Sequence, residues 1–143
     1  MAAESSARTT WQGDLAHGSG TTQVSSGALE EFPVTWASRT ERSAGTTSPE
    51  ELVAAAHASC FSMALSHGLA QAGSPPERLE VAADVSFEPG VGITASRLTV
   101  RGRVPGMDAD AFRQAASAAG EGCPVSKALG GNVDIQVDAE LEG

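Results

Sequence analysis

Ser48-Pro49-Glu50-Glu51-Leu52-Val53-Ala54-Ala55-Ala56-His57-Ala58-Ser59-Cys60-Phe61-Ser62-Met63-Ala64-Leu65-Ser66 is the stretch that decides the fold. Ser48 can cap a helix, Pro49 suits the first helical position, and Glu51 sits three residues after the cap, as in a capping box. Glu50 and Glu51 put negative charge in the first turn, where the helix dipole favours it. No residue of a helix-breaking type follows until Gly68 or Gly73. A helix from Pro49 to Ala72 would be about 36 Å long. Its charges lie at its start alone, so it is apolar nearly all round and belongs inside a domain or an oligomer. Cys60 sits halfway along it.

Working outward, the segments before this helix are short, with turn signals at Gly18-Ser19-Gly20 and Ser26-Gly27. They predict a hairpin and a third strand between Arg8 and Trp36, then a polar connection over Arg39–Thr47. After Gly73-Ser74-Pro75-Pro76 the period changes to two. Leu79, Val81, Ala83, Val85 and Phe87 alternate with polar or small residues, as on a half-buried strand. Beyond the Glu88-Pro89-Gly90 turn, Leu98, Val100 and Val104 share one phase while Ile93 and Ala95 take the other, which predicts a bulge near Ser96. Asp108 caps a helix carrying Phe112, Ala115, Ala116 and Ala119, stopped by Gly120 and Gly122. Cys123-Pro124-Val125-Ser126-Lys127-Ala128-Leu129 reads as a short helix. Val133, Ile135, Val137, Ala139 and Leu141 alternate along a last strand. The order is that of an α+β fold with mainly antiparallel sheet. The 143 residues fit one domain, 1–143, with residues 1–7 expected to be disordered.

Composition narrows the function. Aromatic residues make up only 4% of the chain, and Tyr is absent. Little bulk is left for each element to bury, so oligomerisation is expected to add burial. A net charge of -9 argues against nucleic acid and anionic membrane as partners, which select for a positive face. The first residues lack the apolar run of a secretory signal, and no run approaches 18 apolar residues. The expected compartment is the cytoplasm. In that reducing setting two cysteines 63 residues apart point to redox or catalytic use before a structural disulfide.

Read on local context alone, Cys123 has the better case for reactivity, because a thiol at a helix start meets the positive end of the dipole. Cys60 in mid-helix reads as a small core residue, since apolar surroundings hold a thiol protonated. It becomes a nucleophile only with a cation brought from elsewhere in the fold. His57, three residues before Cys60, and His67, seven after it, lie near its face of the helix. A Cys–His pair for catalysis stays open on these residues. A zinc site is a weaker reading, because no C-x-x-C or H-x3-H pair is present.

The motif around Cys60, together with Cys123-Pro124-Val125-Ser126-Lys127, resembles the osmotically inducible protein C (OsmC) branch of the OsmC/Ohr family. Trp11-Gln12-Gly13-Asp14 and Ala37-Ser38-Arg39-Thr40 add to the resemblance, which runs from Trp11 to the end of the chain. It implies an OsmC-like fold, with sheet wrapped around the long central helix, in an intertwined homodimer. It implies a thiol-dependent peroxidase that reduces organic hydroperoxides, and hydrogen peroxide in the OsmC branch, in oxidative and osmotic stress defence. Carried over, Cys60 is the peroxidatic cysteine and Cys123 the resolving one. Arg39 stabilises the thiolate and Glu50 orients Arg39. No cofactor or metal is implied. The substrate is an organic hydroperoxide, with alkyl or lipid chains suiting so apolar a site, and the reductant is a dithiol, often a lipoyl protein in the wider family. The competing reading is a non-enzymatic, small dimeric α+β binding module in which both cysteines are structural.

Overall fold

The computed structural model describes residues 2–41 and 45–142, in two compact units, Met1–Pro49 and Glu50–Gly143. In the first, β1 (Ala7–Gln12), β2 (Ser19–Val24) and β3 (Phe32–Val34) form an antiparallel sheet in the order β1-β2-β3. Pairing starts early in the chain. Ala7 faces Val24, and the Ser6 carbonyl accepts from the Ser25 N–H at 2.9 Å, so the stretch expected to be disordered is ordered at its end. The β1–β2 loop is closed by Asp14, whose carboxylate accepts from the His17 N–H at 2.7 Å and whose carbonyl accepts from the Gly18 N–H at 2.8 Å. The first of these bonds holds the Asp14 carboxyl below its ordinary pKa. Only glycine fits at position 18, where a Cβ would lie 2.4 Å from the carbonyl oxygens of Gln12 and Asp14.

Trp36, expected at the end of the strand region, and Arg39 and Thr40, expected to open the polar connection, lie instead in a helix, α1 (Trp36–Thr40). Thr35 and Ser38 close a reciprocal capping box: the Ser38 N–H donates to Thr35 Oγ1 at 3.2 Å and the Thr35 N–H to Ser38 Oγ at 3.3 Å. Arg39 lies one turn above Trp36, with its guanidinium 5.7 Å from the ring centroid, within range of a cation–π contact. Part of the expected connection, residues 42–44, lies outside the described residues.

The second unit is organised by α2 (Pro49–Gln71). Gly73, at φ +88°, ends the helix where the sequence offered Gly68 or Gly73. The Ser74 N–H donates to the Leu69 carbonyl at 2.9 Å and the Gly73 N–H to the Ala70 carbonyl at 3.0 Å, a Schellman cap. His57, Phe61, Leu65 and Leu69, spaced by four, form the fully buried stripe of this helix. By length and composition α2 could cross a membrane, which reading for apolar runs did not register. In this fold its apolar stripe instead joins a core with Leu98, Val100, Phe112, Ala116 and Cys123.

β4 (Arg78–Glu88) and β5 (Gly92–Arg103) form the expected hairpin. Its bulge falls where Ser86 pairs with Ala95 and Phe87 with Ile93, so Thr94 is the extra residue, two before Ser96. Beyond the bulge Ser96 is in phase with Leu98 and Val100 and, like them, fully buried. α3 (Ala109–Gly122) starts at Asp108, whose carboxylate accepts from the Ala111 N–H at 2.8 Å. Gly120 does not stop this helix. It is a buried point of close approach, where a Cβ would sit 2.6 Å from Val137 Cγ2. α4 (Pro124–Leu129) follows directly, with Cys123 ending α3 and capping α4. β6 (Asp134–Leu141) then pairs parallel to β5, giving the sheet order β4-β5-β6. The fold is α+β with mainly antiparallel pairing and a long helix.

Candidate active site

The two cysteines meet. α2 carries Cys60 at the edge of its buried stripe, half-buried, and the α3–α4 junction carries Cys123, fully buried. Both are free thiols; Cys60 packs against the core cluster that holds Cys123 and lies close enough to it for Cys123 to act on its ionisation. Residues 63 positions apart are therefore brought together in the core of one unit.

The surroundings act on Cys60 in opposing ways. Burial is the largest effect and pushes its thiol up, because a thiolate there would lose hydration. The Val125 backbone N–H, free at the first turn of α4, donates toward the sulfur and offsets part of this. The neighbouring Cys123 raises the Cys60 pKa further, both as a hydrogen-bond partner and as a like charge when ionised. Within its own unit Cys60 is thus held as a thiol, and its activation needs a positive charge.

Cys123 sits in a polar chain that crosses the apolar core. Its sulfur lies 3.0 Å from Ser126 Oγ and accepts from the Ser126 backbone N–H at 3.3 Å. Ser126 Oγ lies 2.8 Å from Nε2 of His57, and Nδ1 of the same ring lies 2.6 Å from Ser96 Oγ. Ser96 and His57 are wholly buried and Ser126 nearly so. Burial holds the His57 imidazole below its ordinary pKa of 6.5, so it is neutral at pH 7. Each polar atom of the chain is satisfied by the next, which is what makes its burial tolerable. With both ring nitrogens engaged by serines, His57 is not arranged as a metal ligand. His67 lies ten residues on, about 15 Å along the helix, with Nε2 3.4 Å from the Gln71 amide nitrogen. Among the described residues no group of three or more His, Cys, Asp or Glu could hold a metal ion.

The other two expected site residues are placed as follows. Arg39 is in the last turn of α1, over Trp36. Glu50 is in the first turn of α2 and only 5% exposed. It lies ten residues before Cys60, about 15 Å along the helix axis. The sequence alone singles out His57 without a role and gives no prominence to Ser96 or Ser126. The phase of Ser96 with Leu98 and Val100 is the signal that it points inward.

Residues 42–138 match the family described as OsmC-like protein. The chain is 42% identical over 135 residues to peroxiredoxin OsmC of Escherichia coli (strain K12), covering 92% of each chain. Its fold superimposes on the organic hydroperoxide resistance protein OhrB of Bacillus subtilis with a TM-score of 0.65 at 28% identity, covering 94% of this chain and 98% of that one. For the organic hydroperoxide resistance protein OsmC of Legionella pneumophila the TM-score is 0.70 at 23% identity, with 94% and 96% covered. By its sequence and by its fold, the chain belongs to the OsmC-like family.

Proposed function

We propose that the paired thiols Cys60 and Cys123 carry a peroxidase reaction in which Cys60 attacks and Cys123 resolves. The chain is a thiol-dependent peroxidase acting on hydroperoxides, as its likeness to peroxiredoxin OsmC and to organic hydroperoxide resistance proteins supports. The observation that carries the assignment is the pairing of two free thiols, half-buried Cys60 being packed against the core that holds Cys123. The Cys60 thiolate attacks one peroxide oxygen, the O–O bond breaks, and the leaving alkoxide takes up the proton that the thiol gave up, departing as an alcohol. Cys60 is then a sulfenic acid. Cys123 attacks its sulfur, water leaves, and a Cys60–Cys123 disulfide remains. A dithiol reductant, such as a protein-bound lipoyl group, restores both thiols by exchange.

The order of attack follows from exposure. Cys60 is the accessible partner and Cys123 is fully buried, so peroxide reaches Cys60 first. Arg39 supplies the cation that buried Cys60 needs, and Glu50 orients the guanidinium. The whole chain works as one OsmC-like domain in the cytoplasm, as an intertwined homodimer. Support for the dimer comes from α2. This helix is apolar nearly all round, yet Ala55, Ala56 and Met63 are exposed, Met63 by 68%. The apolar residues around Cys60 suit the alkyl chain of an organic hydroperoxide.

Thiol titration after one equivalent of cumene hydroperoxide tests the reading. Both thiols should be lost in the wild type and none in Cys60→Ser. Two intact thiols in the wild type would instead favour the binding module with structural cysteines.

A further inference from the structure

The buried His57 has no part in the two-thiol reaction described so far, yet it is joined to one of the reacting sulfurs. We infer that His57, acting through the Ser126 hydroxyl, receives the proton of Cys123 as that thiol attacks the Cys60 sulfenic acid, and that Ser96 holds the ring for the transfer. The inference rests on the thiol peroxidase reading and assigns its second step.

The geometry supplies a continuous path. Sγ of Cys123, Oγ of Ser126 and Nε2 of His57 are linked at 3.0 and 2.8 Å, and Nδ1 is held by Ser96 Oγ at 2.6 Å. In the neutral ring one nitrogen is a donor and the other an acceptor. With Nδ1–H donating to Ser96, Nε2 accepts from the Ser126 hydroxyl, and Ser126 Oγ is free to accept from the Cys123 thiol. Moving one proton along each link leaves a Cys123 thiolate, a Ser126 hydroxyl now donating to that sulfur, and an imidazolium donating from both nitrogens. Every group has a partner before and after. Ser96 is an acceptor in both states, which is why a serine on β5 suits the far side of the ring.

The step balances. Cys123 sulfur provides the electron pair of the new S–S bond, and the Cys60 S–O pair leaves with hydroxide. The hydroxide leaves at half-buried Cys60 and takes a proton from solvent, and His57 returns its own proton through Ser126 when the dithiol reductant releases Cys123 as a thiolate. Burial makes the imidazole a weak base, so the transfer accompanies S–S bond formation instead of preceding it. Such help is needed at Cys123 because it is fully buried and bulk water cannot take its proton. Cys60 is half-exposed and outside the chain, so the first step does not use it. His57 is a positioning residue, since it acts on the sulfur only through Ser126. The titratable groups on its side are Cys123, beyond Ser126, and Cys60, three residues along α2. Arg97 and Lys127, the charged neighbours in sequence of Ser96 and Ser126, are exposed.

The test resolves the two steps in the full-length protein, mixed rapidly with one equivalent of cumene hydroperoxide. Peroxide loss reads the first step, and mass spectrometry of acid-quenched samples reads the disulfide. In His57→Gln and in Ser126→Ala peroxide loss should stay within about twofold of the wild type. Disulfide formation should slow about tenfold or more, with a dimedone-reactive sulfenic acid accumulating at Cys60. The pH profile separates proton transfer from mere support of the fold. The wild-type second step should be level above about pH 6.5, where His57 is neutral, whereas in His57→Gln it should rise with pH as hydroxide takes over the removal of the proton. If His57→Gln does not fold, Ser126→Ala carries the test. Disulfide formation at the wild-type rate, or slowed with an unchanged pH profile, overturns the inference alone. Failure of the wild type to consume peroxide overturns the peroxidase reading and the inference with it.

Discussion

Gly120→Ala should destabilise the protein, although alanine is the better helix former. The substitution removes backbone freedom from the unfolded chain and gains about 1 kcal/mol of helix propensity. Against this, the new Cβ would lie 2.6 Å from Val137 Cγ2 and 3.9 Å from Phe61 Cε1. Real carbon contacts fall near 3.5–4.0 Å, so α3 and β6 must separate by about 1 Å, or Val137 must leave its rotamer. Overpacking of this kind costs about 1–3 kcal/mol. The clash outweighs the gain in propensity, and the net loss should be about 1 kcal/mol, or several degrees in Tm for a chain of this size. There is a functional consequence. Gly120 lies three residues before Cys123 on the same helix, so moving α3 off β6 shifts the resolving sulfur relative to Cys60. Disulfide formation after stoichiometric peroxide should slow more than peroxide consumption. Chemical denaturation of Gly120→Ala, Val137→Ala and the double variant measures the clash as a coupling energy. A stabilised Gly120→Ala, or strictly additive effects, would refute the close-packing account of this glycine.

Further predictions concern charge, acid and assembly. Arg39→Ala should slow the peroxide reaction tenfold or more at pH 7, because a thiol at its ordinary pKa of about 8.5 is only about 3% thiolate there and burial lowers that share. Raising the pH should partly restore it, and Glu50→Ala should do less; superimposable pH curves for Cys60 alkylation in wild type and Arg39→Ala would remove Arg39 from the site. Below about pH 6.5 the unfolded chain protonates His57 while burial resists this in the fold. Stability from this group is therefore fully present above pH 6.5 and is lost as the pH falls through its lowered folded value. Urea unfolding from pH 7 to 5 should show the loss in the wild type and a smaller one in His57→Gln. Sedimentation at micromolar concentration should find a dimer, and a stable folded monomer would contradict the proposed burial of the outer face of α2.

Much of the second unit was legible, because its periodicity is strong. The two-residue alternation of Leu79 to Phe87 became β4, and the capped alanine-rich run became α2 almost to the residue. The parallel pairing of β6 was not visible in its own residues, since alternation is the same in either direction. Its signal was the connection: a strand reached through two helices suits a crossover better than a hairpin. α1 was missed because Trp36 and its neighbours have strand-like bulk, while the decisive Thr35–Ser38 capping box is two small polar residues. In the site, Cys60 stood out only through the resemblance, since in isolation it reads as core, whereas its place at a helix start already marked Cys123. The pairing of Ser96 and Ser126 on His57 was hidden for a different reason, although the phase of Ser96 marked it as inward-facing. A serine is common at turns and caps, and only a three-dimensional fold reveals that two of them bracket one imidazole.

The roles of the two thiols are tested most directly by comparing Cys60→Ser with Cys123→Ser under one equivalent of cumene hydroperoxide, with dimedone trapping and mass spectrometry. Cys123→Ser should consume peroxide once and carry a trapped sulfenic acid at residue 60, whereas Cys60→Ser should consume none. Peroxide consumption by Cys60→Ser, with none by Cys123→Ser, would reverse the assignment and make Cys123 the attacking thiol.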